Sequence, residues 1–318
     1  MRRLGFSKPT RDPAEQERLF TSFRAAGYDG LQLKLNQYRA DLDQPERFRS
    51  RWGAYPGVAA GLIVGARLDE PGVAQLRRVI RFAAAVGADP VVVVLDEPRR
   101  EAPERPIEQC ARILSALGRE AKQAGTKLSL HHHYQQLVMT RDEIARFFSA
   151  VEDRAVGLTV DTAHLVKSGV TDVSGIIREF QQVVDNVHAK DYADGEWRVL
   201  GHGAIDFAPI FAALREMDFA GWVCADEESG SDLDRALREC HRHLRDELEA
   251  SRGRRPLPRG TTSPPMQSRP FHLRSYSPSR AMVPEREERT TELSSAELLE
   301  EGGEIAVNLC QRLPLGGR

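Results

Sequence analysis

Three segments in the middle of the chain place histidine, aspartate and lysine beside short apolar runs. They are KLSLHHHY (127–134), VGLTVDTAH (156–164) and VVDNVHAKD (183–191). Each segment is typical of a β-strand, because alternating side chains put the apolar residues of a strand on one face. The polar side chains then share the other face near the C-terminal end, where parallel strands of α/β enzymes carry their active sites.

Alternation also predicts which polar side chains face a common interior. In the last segment it groups Val184 with Asn186 and His188 on the inner face. It places Asp185 on the opposite face. With two further strands included, the interior set is Gln32, Lys34, His131, His133, Asp161, His188, Lys190, Asp226 and Glu228. Imidazole nitrogen and carboxylate oxygen from separate strands suit divalent Mn²⁺, Co²⁺, Zn²⁺ or Mg²⁺, and a site without cysteine ligands would be catalytic rather than structural.

Strands and helices repeat along the chain and define how these side chains are positioned. Eight candidate strands recur at intervals of roughly 30 residues, the spacing of strand-plus-helix units. Besides the three segments above, they are RLGFS (3–7), GLQLKL (30–35), AAGLIVGA (59–66), DPVVVVL (89–95) and GWVCADEE (221–228). Amphipathic helical patterns fill the gaps. Thr140 and Glu143 form a capping box for one helix, and Ser231 with Asp234 is predicted to open the last.

This repeat predicts an α/β fold, a (β/α)8 TIM barrel over residues 1–251. An open, doubly wound sheet is the alternative architecture. That fold typically has a glycine-rich first turn, whereas the turn here is SKPTRDP (7–13) and contains no GxGxxG motif. We therefore expect the closed barrel.

Composition limits the classes of partner and compartment. The chain has 318 residues, 41% of them hydrophobic, and a net charge of −2, which favours neither nucleic acid nor an anionic membrane surface. No apolar run has the length of a membrane span, and the first residues contain no secretory h-region. Four widely separated cysteines predict free thiols and a cytoplasmic location. We leave a homo-oligomer open.

The character of the sequence changes after residue 251. Residues 251–280 contain seven arginines and no acidic residue, and residues 285–304 are rich in glutamate. Such a stretch buries too little apolar surface to offset its ordering entropy. We therefore expect residues 252–318 to form a disordered tail, first rich in Pro, Arg and Ser and then acidic.

The sequence resembles the sugar phosphate isomerase/epimerase superfamily, whose fold is a xylose isomerase-like TIM barrel, and within it the inosose dehydratase-like members. The segments that carry the resemblance are GYDGLQL (27–33), LHHHYQQLVMTRDEI (130–144), VGLTVDTAHLVKSG (156–169), NVHAKD (186–191), LGHGAIDF (200–207) and GWVCADEE (221–228). They lie in order and cover most of residues 1–250. The tail shares no part of the resemblance.

The resemblance implies a set of metal ligands. It makes Asp161 and His188 ligands, and adds Asp226 at a position where relatives usually have glutamate. His131 stands where many isomerases have a glutamate that binds the metal and moves a proton. We therefore expect His131 to be a fourth ligand and a proton carrier.

The interior set and the resemblance together suggest proton carriers and substrate contacts. Lys190 and Glu228 are the other candidate catalytic residues. The candidate substrate-binding residues are Gln32, Lys34, His133, His164 and His202. Gln32 stands where glutamate is common, and His202 replaces the frequent glutamate of an LGEG loop.

Together these residues predict a metal-dependent isomerase or epimerase of a sugar, keto-sugar or polyol. A base would remove the proton α to a carbonyl; returning it elsewhere gives isomerisation or epimerisation, and expelling a β-hydroxyl gives dehydration. The alternatives are an inosose dehydratase-like lyase, an AP-endonuclease-like phosphodiesterase and a non-catalytic sugar- or metal-binding barrel. The phosphodiesterase would want more metal ligands and a basic face, which the sequence does not indicate.

Overall fold

The structure, a computed structural model, describes residues 3–99 and 105–253, and for residues 251–253 it describes the backbone alone. The barrel strands are β1 (Arg3–Ser7), β2 (Gly30–Lys34), β3 (Gly61–Ala66), β4 (Val91–Leu95), β5 (Leu128–His131), β6 (Val156–Asp161), β7 (Val184–Ala189) and β10 (Trp222–Asp226). All eight are parallel and close in the order β1-β10-β7-β6-β5-β4-β3-β2. The predicted TIM barrel is confirmed. The predicted tail lies, from residue 254 onward, outside the described residues.

Helices cover the outside of the barrel. They are α1 (Pro13–Ser22), α2 (Leu35–Tyr38), α3 (Pro45–Trp52), α4 (Glu70–Val86), α5 (Ile107–Ala124), α6 (Arg141–Ser149), α7 (Thr162–Lys167), α8 (Val173–Glu179), α9 (Ala208–Glu216) and α10 (Leu233–Gly253), with a 3-10 turn at Arg39–Asp41. On α5, Cys110, Leu114, Leu117 and Ala121 recur every three or four residues and are buried, as an amphipathic helix requires. Within the described ranges, no helix is long and apolar enough to cross a bilayer.

The ends of the helices follow local sequence signals. Thr140 and Glu143 form the predicted capping box of α6. The prediction for α10 was wrong by one residue, because the Asp232 carboxylate accepts the backbone N–H groups of Asp234 and Arg235. The hydroxyl of Ser231 is instead directed at Glu227. Aspartate competes well with serine as an N-cap, so adjacent candidates are hard to separate from sequence.

A β-bulge between β6 and β7 changes the predicted alternation. Leu158 pairs with Val184 and Thr159 pairs with Asn186, so Asp185 is an extra residue in β7. Val184 therefore lies on the outer face, and the prediction that it shares a face with Asn186 was wrong. The carboxylate of Asp185 turns inward, into space that Gly157 leaves free because it has no Cβ.

A short antiparallel hairpin follows β7 and was not predicted. Its strands are β8 (Asp191–Ala193) and β9 (Glu196–Arg198), joined by Asp194 and Gly195 at φ values of 55° and 86°. Two left-handed residues in succession suit a tight turn whose twist matches the strands. The Asp191 carboxylate accepts backbone N–H groups of Gly201 and Gly203, which fixes the following loop beside the hairpin.

The cysteines of the described residues agree with the prediction of free thiols. Cys110, Cys224 and Cys240 are buried and unpaired. Burial raises the pKa of Cys110 to about 11 and that of Cys240 to about 12, so these thiols stay protonated at neutral pH. Cys310 lies outside the described residues.

Candidate active site

Barrel strands bring acids and imidazoles together at their C-terminal ends. His131 ends β5, Asp161 ends β6 and Asp226 ends β10, while His188 lies in β7. The Nε2 atom of His131 lies 3.3 Å from Oδ2 of Asp161. The Nδ1 atom of His188 lies 3.8 Å from the same oxygen and 3.9 Å from Oδ2 of Asp226. We call these four buried residues, with His164, the ligand cluster.

Two overlapping groups within the ligand cluster could hold a metal ion. They are His131–Asp161–His164 and Asp161–His188–Asp226, and the ligand atoms of each group lie within 4.8 Å of one another. Among the described residues, Asp161 Oδ2, His188 Nδ1 and His131 Nδ1 are buried without a hydrogen-bond partner. Buried polar atoms are normally satisfied, so the unpaired Asp161 Oδ2 and His188 Nδ1, which lie 3.8 Å apart, fit a bound cation. The mixture of imidazole and carboxylate suits a divalent transition metal.

Gln32 fixes the orientation of His188. The Gln32 side-chain oxygen lies 2.8 Å from Nε2 of His188, and its Nε2 donates to the Asn186 side chain at 2.7 Å. Because an amide oxygen can only accept, Nε2 of His188 carries the proton and Nδ1 presents its lone pair to the carboxylates. Gln32, a predicted substrate-binding residue, is buried and contacts His188 and Asn186.

Asp161 is held through both its backbone and its side chain. Its Oδ1 accepts the backbone N–H of His164 at 2.9 Å, at the start of α7. Its own backbone N–H donates to Nε2 of His132 at 3.0 Å. His132 therefore lies behind the ligand cluster and braces it. Oδ1 of Asp161 is thus used within the protein. Oδ2 is the atom of this carboxylate that faces His131 and His188.

Burial sets the protonation states of the imidazoles. It lowers the pKa of His188 to about 4, against the opposing effect of Asp226. Burial also lowers the pKa of His164 far below its usual value. Burial raises the pKa of Asp161, but His164, His131 and Lys190 outweigh it and hold the pKa well below normal. Neutral imidazole beside ionised carboxylate is the state that metal ligation requires.

Two lysines pair with the acids at the end of β10. These residues lie at the C-terminal opening of the barrel, which we call the mouth. Lys34 Nζ lies 2.7 Å from Asp226 and 2.6 Å from Glu228, and Lys190 Nζ contacts Glu228 as well. Burial raises the pKa of Glu228, but the two ammonium groups outweigh it and hold that pKa well below its usual value. The pKa of Lys190 is raised, because Glu228 and Asp226 outweigh the opposing effect of burial. Both lysines are thus charged at neutral pH.

The remaining predicted residues lie at different distances from the ligand cluster. The ring of His133 lies against that of His164, with centroids 3.8 Å apart, and its Nδ1 lies 2.9 Å from the Tyr134 carbonyl oxygen. His202 is partly exposed and pairs with Glu239 of α10 at 2.9 Å. The structure thus brings His133 to the site and directs His202 toward the outer helix.

Trp197 reaches the mouth of the barrel from β9 and was missed by sequence reasoning. Its ring centroid lies 4.9 Å from that of His164 and 4.3 Å from Nζ of Lys190. The Asp194-Gly195 pair was the available signal, because Asp-Gly between short strands is typical of a hairpin. The role of His164 as a potential ligand was missed because the residue belongs to α7, where strand alternation does not apply.

Comparisons with known proteins agree with this fold. The family model described as xylose isomerase-like TIM barrel matches residues 20–247. The inosose dehydratase of Clostridium beijerinckii is 34% identical over 134 residues, which cover 36% of this chain and 45% of that relative. The inosose dehydratase of Lacticaseibacillus casei is 31% identical over 140 residues, which cover 38% and 47%. The chain thus spans about half the length of the curated relatives it matches.

Solved structures of similar fold cover nearly all of the barrel. An L-ribulose 3-epimerase is similar with a TM-score of 0.66 and 22% identity, over 79% of this chain and 96% of that one. The IOLI protein, solved with a zinc atom, is similar with a TM-score of 0.63 and 18% identity, over 78% and 99%. At such identities the likeness establishes the architecture.

Proposed function

The chain belongs to the xylose isomerase-like TIM barrel family, and from that premise we propose that it is a metal-dependent isomerase or epimerase of a sugar, keto-sugar or polyol. The observation that carries the proposal is the convergence of Asp161 Oδ2 and His188 Nδ1, two buried atoms without hydrogen-bond partners in the described residues. The zinc atom of the IOLI protein supports a metal in a barrel of this kind.

Asp161, His188 and Asp226 would hold the ion, with His131 as a fourth ligand. A divalent metal at this position would polarise a substrate carbonyl and make the proton on the neighbouring carbon more acidic. Asp161 and Asp226 supply the negative charge, and Gln32 keeps the His188 lone pair directed at the ion. His131 takes the place of the acid that the resemblance leads one to expect, so this ligand set carries less negative charge.

Proton transfer falls to residues at the rim of the ligand cluster. Lys190 is charged and can donate a proton to a substrate oxygen from Nζ. The Glu228 carboxylate is already occupied by two ammonium groups, and its contact holds Lys190 in place. A ligating His131 cannot accept a proton, because its lone pair is used for the metal.

His133 is then the proton acceptor that we favour. Its Nδ1 lies 2.9 Å from a carbonyl oxygen and therefore carries the hydrogen, which leaves the lone pair of Nε2 free. Burial and the neighbouring His131 lower the pKa of His133 to about 4, so the imidazole is neutral at physiological pH. A neutral imidazole nitrogen beside the proposed metal has the form of a general base.

A dehydratase of the inosose dehydratase type is the second candidate. The observation that favours it is the sequence match to two such enzymes at 34% and 31% identity. The same proton removal would start both reactions, and loss of a β-hydroxyl would separate them. The substrate in either case is a small polyhydroxylated molecule. The buried free thiols of the protein support the cytoplasm, which is reducing, as the location of the enzyme.

Deuterium uptake from heavy water tests the proposal. We expect the Mn²⁺-loaded protein to introduce deuterium into at least one member of a panel of keto-sugars and inosose. A product that differs from the substrate formula only by deuterium indicates isomerisation or epimerisation, and loss of water indicates dehydration. Asp161→Asn should abolish exchange, whereas Asp142→Asn, the same change at an exposed residue of α6, should not. A metal-loaded protein that exchanges no deuterium with any member contradicts the proposal and favours a binding protein.

A further inference from the structure

Lys167 is a half-buried lysine with no carboxylate partner in the described part of the chain. It is the last residue of α7. Its Nζ lies 4.3 Å from the ring centroid of Trp197, 5.0 Å from that of Tyr134 and 5.8 Å from that of Tyr192. Aromatic faces attract an ammonium group without neutralising it. We call the rings of Tyr134, Tyr192 and Trp197 the cage. The cage holds the ammonium group of Lys167 in place and leaves its charge available to an anion.

The two other lysines of the mouth differ in this respect. Lys34 and Lys190 each contact the Glu228 carboxylate, and Lys34 also pairs with Asp226. Their charge is already compensated, so neither has a full charge to offer a substrate. Lys167 lacks such a pair, although salt bridges occur throughout the described surface. An uncompensated, partly desolvated cation next to a candidate active site indicates a missing anion.

Trp197 connects this cage to the ligand cluster. The same indole ring lies 4.3 Å from Nζ of Lys167, 4.3 Å from Nζ of Lys190 and 4.9 Å from the ring of His164. His164 in turn donates its backbone N–H to Asp161. A molecule that contacts the ligand cluster and extends along Trp197 would thus reach Lys167.

The net charge of the mouth also favours an anionic group on the substrate. Three carboxylates beside the proposed metal position (Asp161, Asp226 and Glu228) exceed the two lysines that pair with them (Lys34 and Lys190) by one negative charge. A divalent ion would reverse that sign, and Lys167 would add a further positive charge. A substrate with a negative substituent would then complement the mouth better than a neutral one.

We propose that Lys167, caged by Tyr134, Tyr192 and Trp197, forms a subsite for an anionic substituent of the substrate, a carboxylate or a phosphate. The inference rests on the proposed function for its substrate class, a sugar derivative. It narrows that class to sugar acids or sugar phosphates. The hairpin of β8 and β9, which supplies Tyr192 and Trp197, is then the element that selects the substrate.

Matched pairs of probes test the subsite by calorimetry on the full chain with Mn²⁺ bound. One pair is D-glucuronate and D-glucose, and the other is fructose 6-phosphate and fructose. We expect the charged member of at least one pair to bind about tenfold more tightly or better, as a charge-assisted contact would provide. The pair that shows the preference distinguishes carboxylate from phosphate.

Three variants assign any preference to Lys167. Lys167→Met keeps an apolar stem in the cage but removes the charge, and should reduce the preference to about twofold or less. Lys167→Arg should retain it, and Lys122→Met, the same change at an exposed position of α5, should leave it unchanged. Equal binding within both pairs, a preference that survives Lys167→Met, or no binding of either charged probe overturns the subsite.

Deuterium exchange shows whether the subsite or the proposed function has failed. Exchange into a neutral sugar without any preference for charge would overturn the subsite and leave the proposed function in place. A preference that depends on Lys167 without exchange into any sugar would retain the subsite and contradict the enzyme.

Discussion

The interior of the barrel is polar at both ends, but the two ends differ in how the polar atoms are satisfied. At the N-terminal end, the Ser129 hydroxyl donates to Asp185 at 2.6 Å and lies 2.8 Å from the Thr159 hydroxyl. At the C-terminal end, Asp161 Oδ2 and His188 Nδ1 are buried without hydrogen-bond partners in the described residues. Both ends contain an acid, the buried Asp161 and the partly buried Asp185, so acidity alone does not identify a site.

The two side-chain groups thus differ in hydrogen bonding rather than in polarity, and the group around Asp161 and His188 is the candidate ligand site. At the N-terminal end Ser129 contacts both Thr159 and Asp185, although Oδ1 of Asp89 is also buried there without a partner in the described residues. A cation would satisfy the unpaired atoms of the C-terminal cluster. One chain of side chains joins the two ends, because Asn186 contacts both Thr159 and Gln32, and Gln32 contacts His188.

The largest expected effect is the loss of metal at the C-terminal end. Asp161→Asn removes a negative ligand and should weaken Mn²⁺ binding by about a hundredfold or more, since a neutral amide is a poor replacement for a carboxylate. His188→Ala should act in the same direction. Calorimetric metal titration and elemental analysis measure both. Unchanged metal content in the two variants would show that the cluster is not the metal site.

The second largest effect on metal affinity is expected at Gln32, which links the two ends of the barrel. Gln32→Leu removes the acceptor that fixes the His188 tautomer, and loss of such a partner typically lowers metal affinity by about 10- to 100-fold. Gln37→Leu is a control of matched chemistry, because Gln37 is also buried but accepts the backbone N–H of Lys34 at 2.9 Å. Equal effects on metal affinity would reduce Gln32 to a packing role.

Sequence reasoning predicted the barrel and much of the interior set because both rest on local patterns. The run of valines in β4, with Val91, Val92 and Val93 fully buried, is typical of a parallel strand covered on both faces. Asp161 and His188 followed from strand alternation and from resemblance. Local pattern cannot show that a bulge turns Asp185 inward, since a bulge depends on the neighbouring strand.

Long-range contacts account for the features that sequence reasoning did not anticipate. The contact between Gln32 and His188 joins β2 to β7 across the barrel, a pairing that no spacing in the sequence expresses. Trp197 and Lys167 come from separate elements that meet only in the folded chain. His202 was assigned by its place in a loop motif, and its pairing with Glu239 depends on how α10 packs.

The N-terminal end should respond to pH in stability rather than in metal binding. Burial raises the pKa of Asp185 from 3.8 to about 7, partly opposed by the Ser129 hydroxyl and by Lys127. The folded protein thus holds an extra proton between about pH 4 and 7, and stability falls as pH rises through that window. Asp185→Asn should stabilise the protein by about 1–3 kcal/mol at pH 8 and by little at pH 4.

Thermal and urea unfolding of the parent and the Asp185→Asn variant at the two pH values measure this difference. Metal affinity should stay the same in both proteins, because Asp185 makes no contact with the ligand cluster. A stabilisation that does not depend on pH would contradict the titration of Asp185. A large loss of metal affinity would show that the two ends act as one network.

The smallest expected effect, and the sharpest test of the C-terminal end, is His131→Glu. His131 Nε2 lies 3.3 Å from Oδ2 of Asp161, so the new carboxylate would face a second carboxylate across a short distance. Without metal the two negative charges repel, and the protein should unfold at a lower temperature. With metal the added charge faces the cation, and affinity for Mn²⁺ should rise by about three- to tenfold.

In His131→Glu the metal-free protein should become less stable while the affinity for Mn²⁺ rises. This combination distinguishes a metal ligand at position 131 from a residue that only lies near the metal. His133→Glu places the same charge at the mouth, beside His164, and serves as the matched control. A general field effect would raise metal affinity in both variants alike, because each adds one negative charge near the ion. A ligand at His131 should raise it in His131→Glu alone, together with a larger gap between the unfolding temperatures of the loaded and metal-free protein. Equal gains in the two variants would remove His131 from the ligand set and leave Asp161, His188 and Asp226 as the metal site.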